Sequence, residues 1–135
     1  MDKETEVAFS TNAISITMFK ATTNLADHLS QSEEFLRFKI AEAKLNADQE
    51  AQKSLREYSE LQQKIRAQQN SAAIPESDYK RLRELQMAIG ANETIQDFEH
   101  KQEMAVAWLR EINQEISQLL GIDFASFTRR SSGCC

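Results

Sequence analysis

Between Asn92 and Leu120 the residues Ile95, Phe98, Gln102, Ala105, Leu109, Ile112, Ile116 and Leu119 recur in alternating steps of three and four, and seven of the eight are apolar. An α-helix returns such steps to one face, so this stretch predicts a long helix with a seam that must lie lengthwise against another helix. Met104 and Trp108 form a second apolar i,i+4 pair beside the seam, which widens the face to be buried and reads as core. Gln102, the polar member, reads as a register-fixing residue or as one at the seam's edge.

The rest of the chain extends the helical reading. Three glycines and one proline in 135 residues are far too few for the turns that an all-β protein needs. Phe19, Thr22, Ala26 and Leu29, flanked by Met18 and Leu25, predict a short first helix ending near Leu29. Ser30-Gln31-Ser32-Glu33 has the S-x-x-E form of a capping box, so a second helix is expected to begin there. No glycine or proline follows until beyond Asn70, which predicts one uninterrupted helix of about 37 residues and about 55 Å. Its apolar set, Phe35, Phe38, Ala41, Leu45, Ala51, Leu55, Tyr58, Leu61 and Ile65, weakens around Asp48 and Gln52. Glu33 with Arg37, Lys53 with Glu57 and Glu60 with Lys64 stand at i,i+4 on its solvated side. After Asn70 to Pro75, with Pro75 in the first turn, a short third helix through Tyr79, Leu82, Leu85 and Ile89 is expected to stop at Gly90 as a left-handed cap. Asn92 then caps the seam helix. The expected fold is all-α: a long antiparallel helical hairpin of four to five helices with coiled-coil-like packing, a small helix at its tip, and a tendency to self-associate. Residues 17–124 form the helical domain, between a flexible segment 1–16 and a flexible tail 125–135 that ends in Cys134-Cys135.

Charge limits the function. A net charge of −5 gives no general attraction for nucleic acid or an anionic membrane. Lys64, Arg66, Lys80, Arg81 and Arg83 gather near the tip, but without the interleaved aromatics of a single-strand reader, so direct nucleic-acid binding is not expected. No apolar run approaches the roughly 20 residues of a membrane span, and the N-terminal segment lacks the basic start and apolar core of a signal peptide, so the expected location is the cytoplasm. No catalytic constellation is visible: His28 and His100 are far apart, no glycine-rich loop is present, and the acids follow surface spacing. The chemically pointed feature is the vicinal pair Cys134 and Cys135. It reads either as half of a four-thiolate iron–sulfur or zinc site completed by another subunit, or as an exposed pair without a ligand. A terminal Gly-Cys-Cys also matches a double-prenylation signal, but no GTPase domain precedes it.

The succession Ser32-Glu33-Glu34-Phe35, Phe38-Lys39, Ala41, Asp48, Glu50, Ala51, Leu61-Gln62 and Gln68-Gln69, continued by Asn92, Ile95, Gln102, Leu109, Ile112-Asn113 and Ile116, resembles the YlbF/YmcA family of bacterial regulators over roughly residues 18–124. The resemblance implies an all-helical, self-associating, non-catalytic protein, an accessory regulator of competence, sporulation and biofilm formation. It implies a complex with related YlbF/YmcA-type proteins and a third protein, [4Fe–4S] clusters carried by that complex, and an effect on the membrane-bound ribonuclease RNase Y in messenger maturation. Cys134 and Cys135 are the only residues onto which a cluster-ligand role carries over, for a site shared with another subunit. Two readings from other classes stand beside it: an iron–sulfur or redox protein acting through the cysteine pair, and a holdase-like hairpin that shields apolar clients.

Overall fold

The computed structural model describes residues 15–68 and 73–129. They form six α-helices, α1 Ile16–Gln31, α2 Glu33–Ala47, α3 Gln49–Gln68, α4 Glu76–Ala91, α5 Glu93–Leu120 and α6 Phe124–Thr128, and no strand occurs among them. The chain divides after Ser32 into one unit that holds α1 and another that holds α2 to α6.

In α1 the Ser15 hydroxyl caps the first turn by accepting from the Met18 N–H at 3.2 Å. Ser30 does not open a capping box as its sequence suggests. It lies inside α1 and donates to the Asp27 carbonyl at 2.9 Å, and Ser32 donates to the Leu29 carbonyl at 2.5 Å. Serine hydroxyls near a helix end can satisfy carbonyls one turn back as readily as amides ahead, and here the former prevails. The new helix starts at Glu33, with Glu33 and Glu34 at its positive end.

In the second unit α3 packs on α4 and α2 packs on α5, so the chain runs out along α2 and α3 and returns along α4 and α5. This is the expected antiparallel hairpin, with two corrections. The single helix from Ser32 to Asn70 is two helices, broken at Asp48. There the Asp48 carboxylate accepts from the Ala51 N–H at 3.0 Å, and the Gln52 amide donates to the Leu45 carbonyl at 3.0 Å. The third helix is not a small cap at the tip but a 16-residue partner laid along α3. Nor does it stop at Gly90: it continues to Ala91, and Asn92 ends it while capping α5 through the Ile95 N–H at 3.0 Å. An asparagine able to cap the next helix supersedes the glycine stop two residues earlier. Pro75 stands at the N-cap of α4, one position before its first turn.

The two breaks face each other. The Ala51 N–H first, then the Thr94 hydroxyl and, more weakly, Asn92 hold the Asp48 carboxyl below its ordinary range, against the opposing effect of desolvation. The main cluster forms at this level from Leu45, Ala51 and Ile95, with Leu55, Ile89 and Phe98 packed against it. Ala51 is completely buried, and Ala41 and Ala105 nearly so; small side chains at these contacts let the helix axes approach closely. Because the folded-state Asp48 titrates below its unfolded value near 3.8, its stabilisation is complete above that pH and is lost as pH falls through the folded value. The thermal midpoint of the native chain is therefore expected to fall more steeply on acidification below about pH 4 than that of Asp48→Asn. Equal slopes in calorimetric melts at stepped pH would remove Asp48 as the acid-sensitive link.

Further out, Ile65 and Leu85 are buried between α3 and α4. Arg81 pairs with Glu57 at 2.6 Å and Lys64 with Asp78 at 2.7 Å across this contact, so Lys64 is drawn to α4 instead of to Glu60. The Tyr58 hydroxyl accepts from Gln62 at 2.8 Å and Gln86 at 3.3 Å, tying the same two helices.

At the other end Gly121 adopts φ 71°, the one positive φ among the described residues. Its conformation brings the Ile122 N–H onto the Ser117 carbonyl at 3.2 Å, the Phe124 N–H onto the Ser117 hydroxyl at 3.0 Å, and α6 back against α5. The stretch expected to be a tail from residue 125 thus begins as helix, capped by Asp123 through the Ser126 N–H at 3.3 Å. Gly121→Ala is expected to cost about 1–2 kcal/mol in urea denaturation, since a Cβ disfavours this conformation, and Gly121→Asn less. A neutral alanine would contradict the left-handed turn.

Candidate interaction surface

The seam of α5 is occupied only in part. Ile95 and Ala105 are buried, Phe98, Trp108, Ile112 and Ile116 are half-buried, and Gln102, Leu109 and Leu119 are exposed, Leu119 by 86%. Lys101, not Gln102, is the half-buried residue at its level. A straight helix of 3.6 residues per turn drifts by about 20° per heptad against a strict seven-residue seam, so covered positions shift from one flank to the other.

Register explains why the cover stops. Phe38 meets Phe98 with ring centroids 5.7 Å apart, and Leu45 clusters with Ile95, so α2 and α5 are antiparallel. With 15 residues against 28, α2 spans about 22 Å and α5 about 42 Å. Counting from the phenylalanine pair, the first residue of α2 comes level with about Glu103. The last turns of α5, with Leu109, Ile112, Ile116 and Leu119, outrun it.

A second uncovered surface lies on α2. Phe35, Phe38, Ala41 and Leu45 form the stripe that packs inward. Leu36 and Ile40 are 49% and 57% exposed, and Ala43 and Ala47 continue their line in steps of three and four. A helix that is apolar on two faces belongs between two neighbours, and among the described helices of its own unit α5 is the one packed along its length. Sequence reading passed over Leu36 and Ile40 by following a single stripe; their signal was an apolar residue on nearly every side of residues 35–47.

The other candidates fare differently. Cys134 and Cys135 lie outside the described residues. Among the described residues no three His, Cys, Asp or Glu side chains gather into a set able to hold a metal ion, and none of the described residues is a cysteine. His28 and His100 are exposed. Of the basic residues near the tip, Lys64 and Arg81 are ion-paired with Asp78, Glu57 and Glu84, while Lys80 and Arg83 line a shallow cleft with Glu76, Ser77 and Tyr79. No described helix is long and apolar enough to cross a membrane.

Comparison with known proteins agrees with this architecture. No curated protein matches the sequence. The solved structure of Bacillus subtilis RicA, determined in complex with RicF, is similar in fold, with a TM-score of 0.68 and 19% identity, covering 80% of this chain and 96% of RicA. The family model described as "Control of competence regulator ComK, YlbF/YmcA" matches residues 18–120, from α1 through the end of α5. The chain therefore belongs to the YlbF/YmcA family.

Proposed function

We propose that this chain is a non-enzymatic cytoplasmic adaptor that associates with itself or with related YlbF/YmcA-type chains, and that the complex modulates RNase Y-dependent processing of messenger RNA in competence, sporulation and biofilm programmes. The observation that carries the proposal is the apolar seam of α5 continuing past the end of α2, beside the outer stripe of α2. Buried apolar area is the main driving force for association, and these surfaces offer it in helical form. Family membership supports the regulatory part, and RicA, a protein of similar fold, was itself solved in complex with RicF.

A [4Fe–4S] cluster enters this proposal only through Cys134 and Cys135. Such clusters take four thiolates, of which one chain offers two, so another subunit must supply the rest. Anaerobic affinity capture of the tagged chain from its native cells, with the eluate identified by mass spectrometry and assayed for iron, tests both parts. Related YlbF-type chains and the ribonuclease are the expected companions, with iron that disappears in the Cys134→Ser, Cys135→Ser variant. The chain recovered alone would overturn the adaptor reading, and a complex recovered without iron would remove the cluster.

A further inference from the structure

Resting on the self-association in that reading, we infer that the face of the second half of α5 left open by α2 and α6 is covered by α1 of a second copy of this chain, in a reciprocal two-fold exchange.

The composition of α1 is that of a buried element. Lys20 and Asp27 are its only formal charges in 16 residues, whereas α3 carries seven in 20. Met18, Ala21, Leu25 and Leu29 share one face, yet α1 contains no buried residue, and Ile16, Met18 and Leu25 are among the exposed large apolar side chains. Its intrinsic propensity does not explain its helicity. Ile16, Thr17, Thr22 and Thr23 are β-branched, and a helix of this length in water is marginal without tertiary packing. Something must pack on α1.

The open part of α5 fits it. From about Glu103 to Leu120 the stretch of α5 beyond α2 measures about 26 Å, and the 16 residues of α1 measure about 24 Å. Glu103, Glu111 and Glu115 stand against the single Arg110 there; α1, with one charge of each sign, brings no net negative charge to them and offers Lys20 as a partner. One such helix contact is small for a stable interface, but a two-fold axis forms it twice, which brings the total into the usual range of about 1,200–2,000 Å². In this exchange each chain lends one helix and receives one, and α5 gains a neighbour along its whole length.

Single-cysteine pairing tests the exchange in a Cys134→Ser, Cys135→Ser background of the full chain. One chain carries Leu25→Cys, and a second of different size carries Ile112→Cys or Ile116→Cys; the two are co-expressed and gently oxidised. The expected result is a disulfide-linked pair of the two sizes, at least tenfold more abundant than with Lys53→Cys, on the exposed surface of α3, in place of the α5 cysteine. If light scattering finds a dimer but no such link forms, the exchange is wrong and self-association stands. A link formed only inside a chain carrying both cysteines, as a monomer, also overturns it. A monomer without links at every concentration overturns the exchange and the self-association together.

Discussion

Leu109→Glu combined with Leu119→Glu is expected to convert the proposed self-associated form into a folded monomer. Both side chains are exposed in the single chain, by 44% and 86%, so their replacement removes little from the chain's own core, and the helical circular dichroism and thermal midpoint should stay close to native. In the proposed complex both would be buried. A large apolar side chain taken wholly from water is worth about 1.5–3 kcal/mol; scaled to the surface that each of these two still exposes, the pair accounts for about 2–4 kcal/mol and a loss of affinity of roughly 30- to 1,000-fold. Size-exclusion chromatography with light scattering at matched concentrations reads this directly. Unchanged association would place the interface elsewhere, whereas loss of helix would mean that these residues support the fold itself.

The opposite outcome is expected for Ile95→Ala. Ile95 is almost fully buried at the level where the two helix breaks meet, in one cluster with Leu45 and Ala51. Truncation of a buried isoleucine costs about 2–5 kcal/mol, the larger values applying where the surroundings do not collapse into the cavity. The neighbours here are already closely set, because Ala51 is small and completely buried, and Leu55, Ile89 and Phe98 pack from the sides. A value in the upper half of that range is expected. Against a typical total of about 5–15 kcal/mol this is a large fraction of stability. Chemical denaturation should show the midpoint moved and the slope unchanged. A cost below about 1 kcal/mol would mean that the core lies outside the hinge level.

Much of the architecture is written locally. The scarcity of glycine and proline, the apolar steps along α5 and the capping role of Asn92 all follow from residues close in sequence, and the structure has them in place. The break at Asp48 is another matter. It sits in a run with no glycine or proline, and its cap on Ala51 is reinforced by Thr94 and Asn92 from the returning arm. The cap itself is local, since aspartate is a favoured N-cap and Ala51 lies three residues on, but an aspartate inside a long helical run does not by itself announce that Thr94 and Asn92, more than forty positions away, will reinforce the break. Gly90 and Ser30 show the converse, where a sound local rule loses to a neighbour: Asn92 provides the cap two residues later, and the Asp27 carbonyl takes the serine hydroxyl.

The candidate interaction surface is half legible for a related reason. Heptad spacing identifies a face that wants a partner, but it does not say how far the partner inside the same chain extends. That limit comes from the Phe38–Phe98 register and from the 15 residues of α2 against the 28 of α5. Ile95, Phe98 and Ala105 are thereby assigned to the hairpin's own core, and Leu109, Ile112, Ile116 and Leu119 to the stretch beyond α2. The cysteine tail stays a chemical expectation, since Cys134 and Cys135 lie outside the described residues.

Sedimentation equilibrium of the native full chain, alone and mixed with a second YlbF-type chain, tests whether the far half of α5 is an association surface. The emission of Trp108, the single tryptophan, can be followed in the same samples, because it stands half-buried where the cover of α2 ends. The expected mass is twice that of the 15.4 kDa chain, or that of a mixed complex, at micromolar concentration, with Trp108 emission shifting to the red on dilution. A mass of 15.4 kDa at every concentration, with and without the second chain and with constant emission, would contradict it.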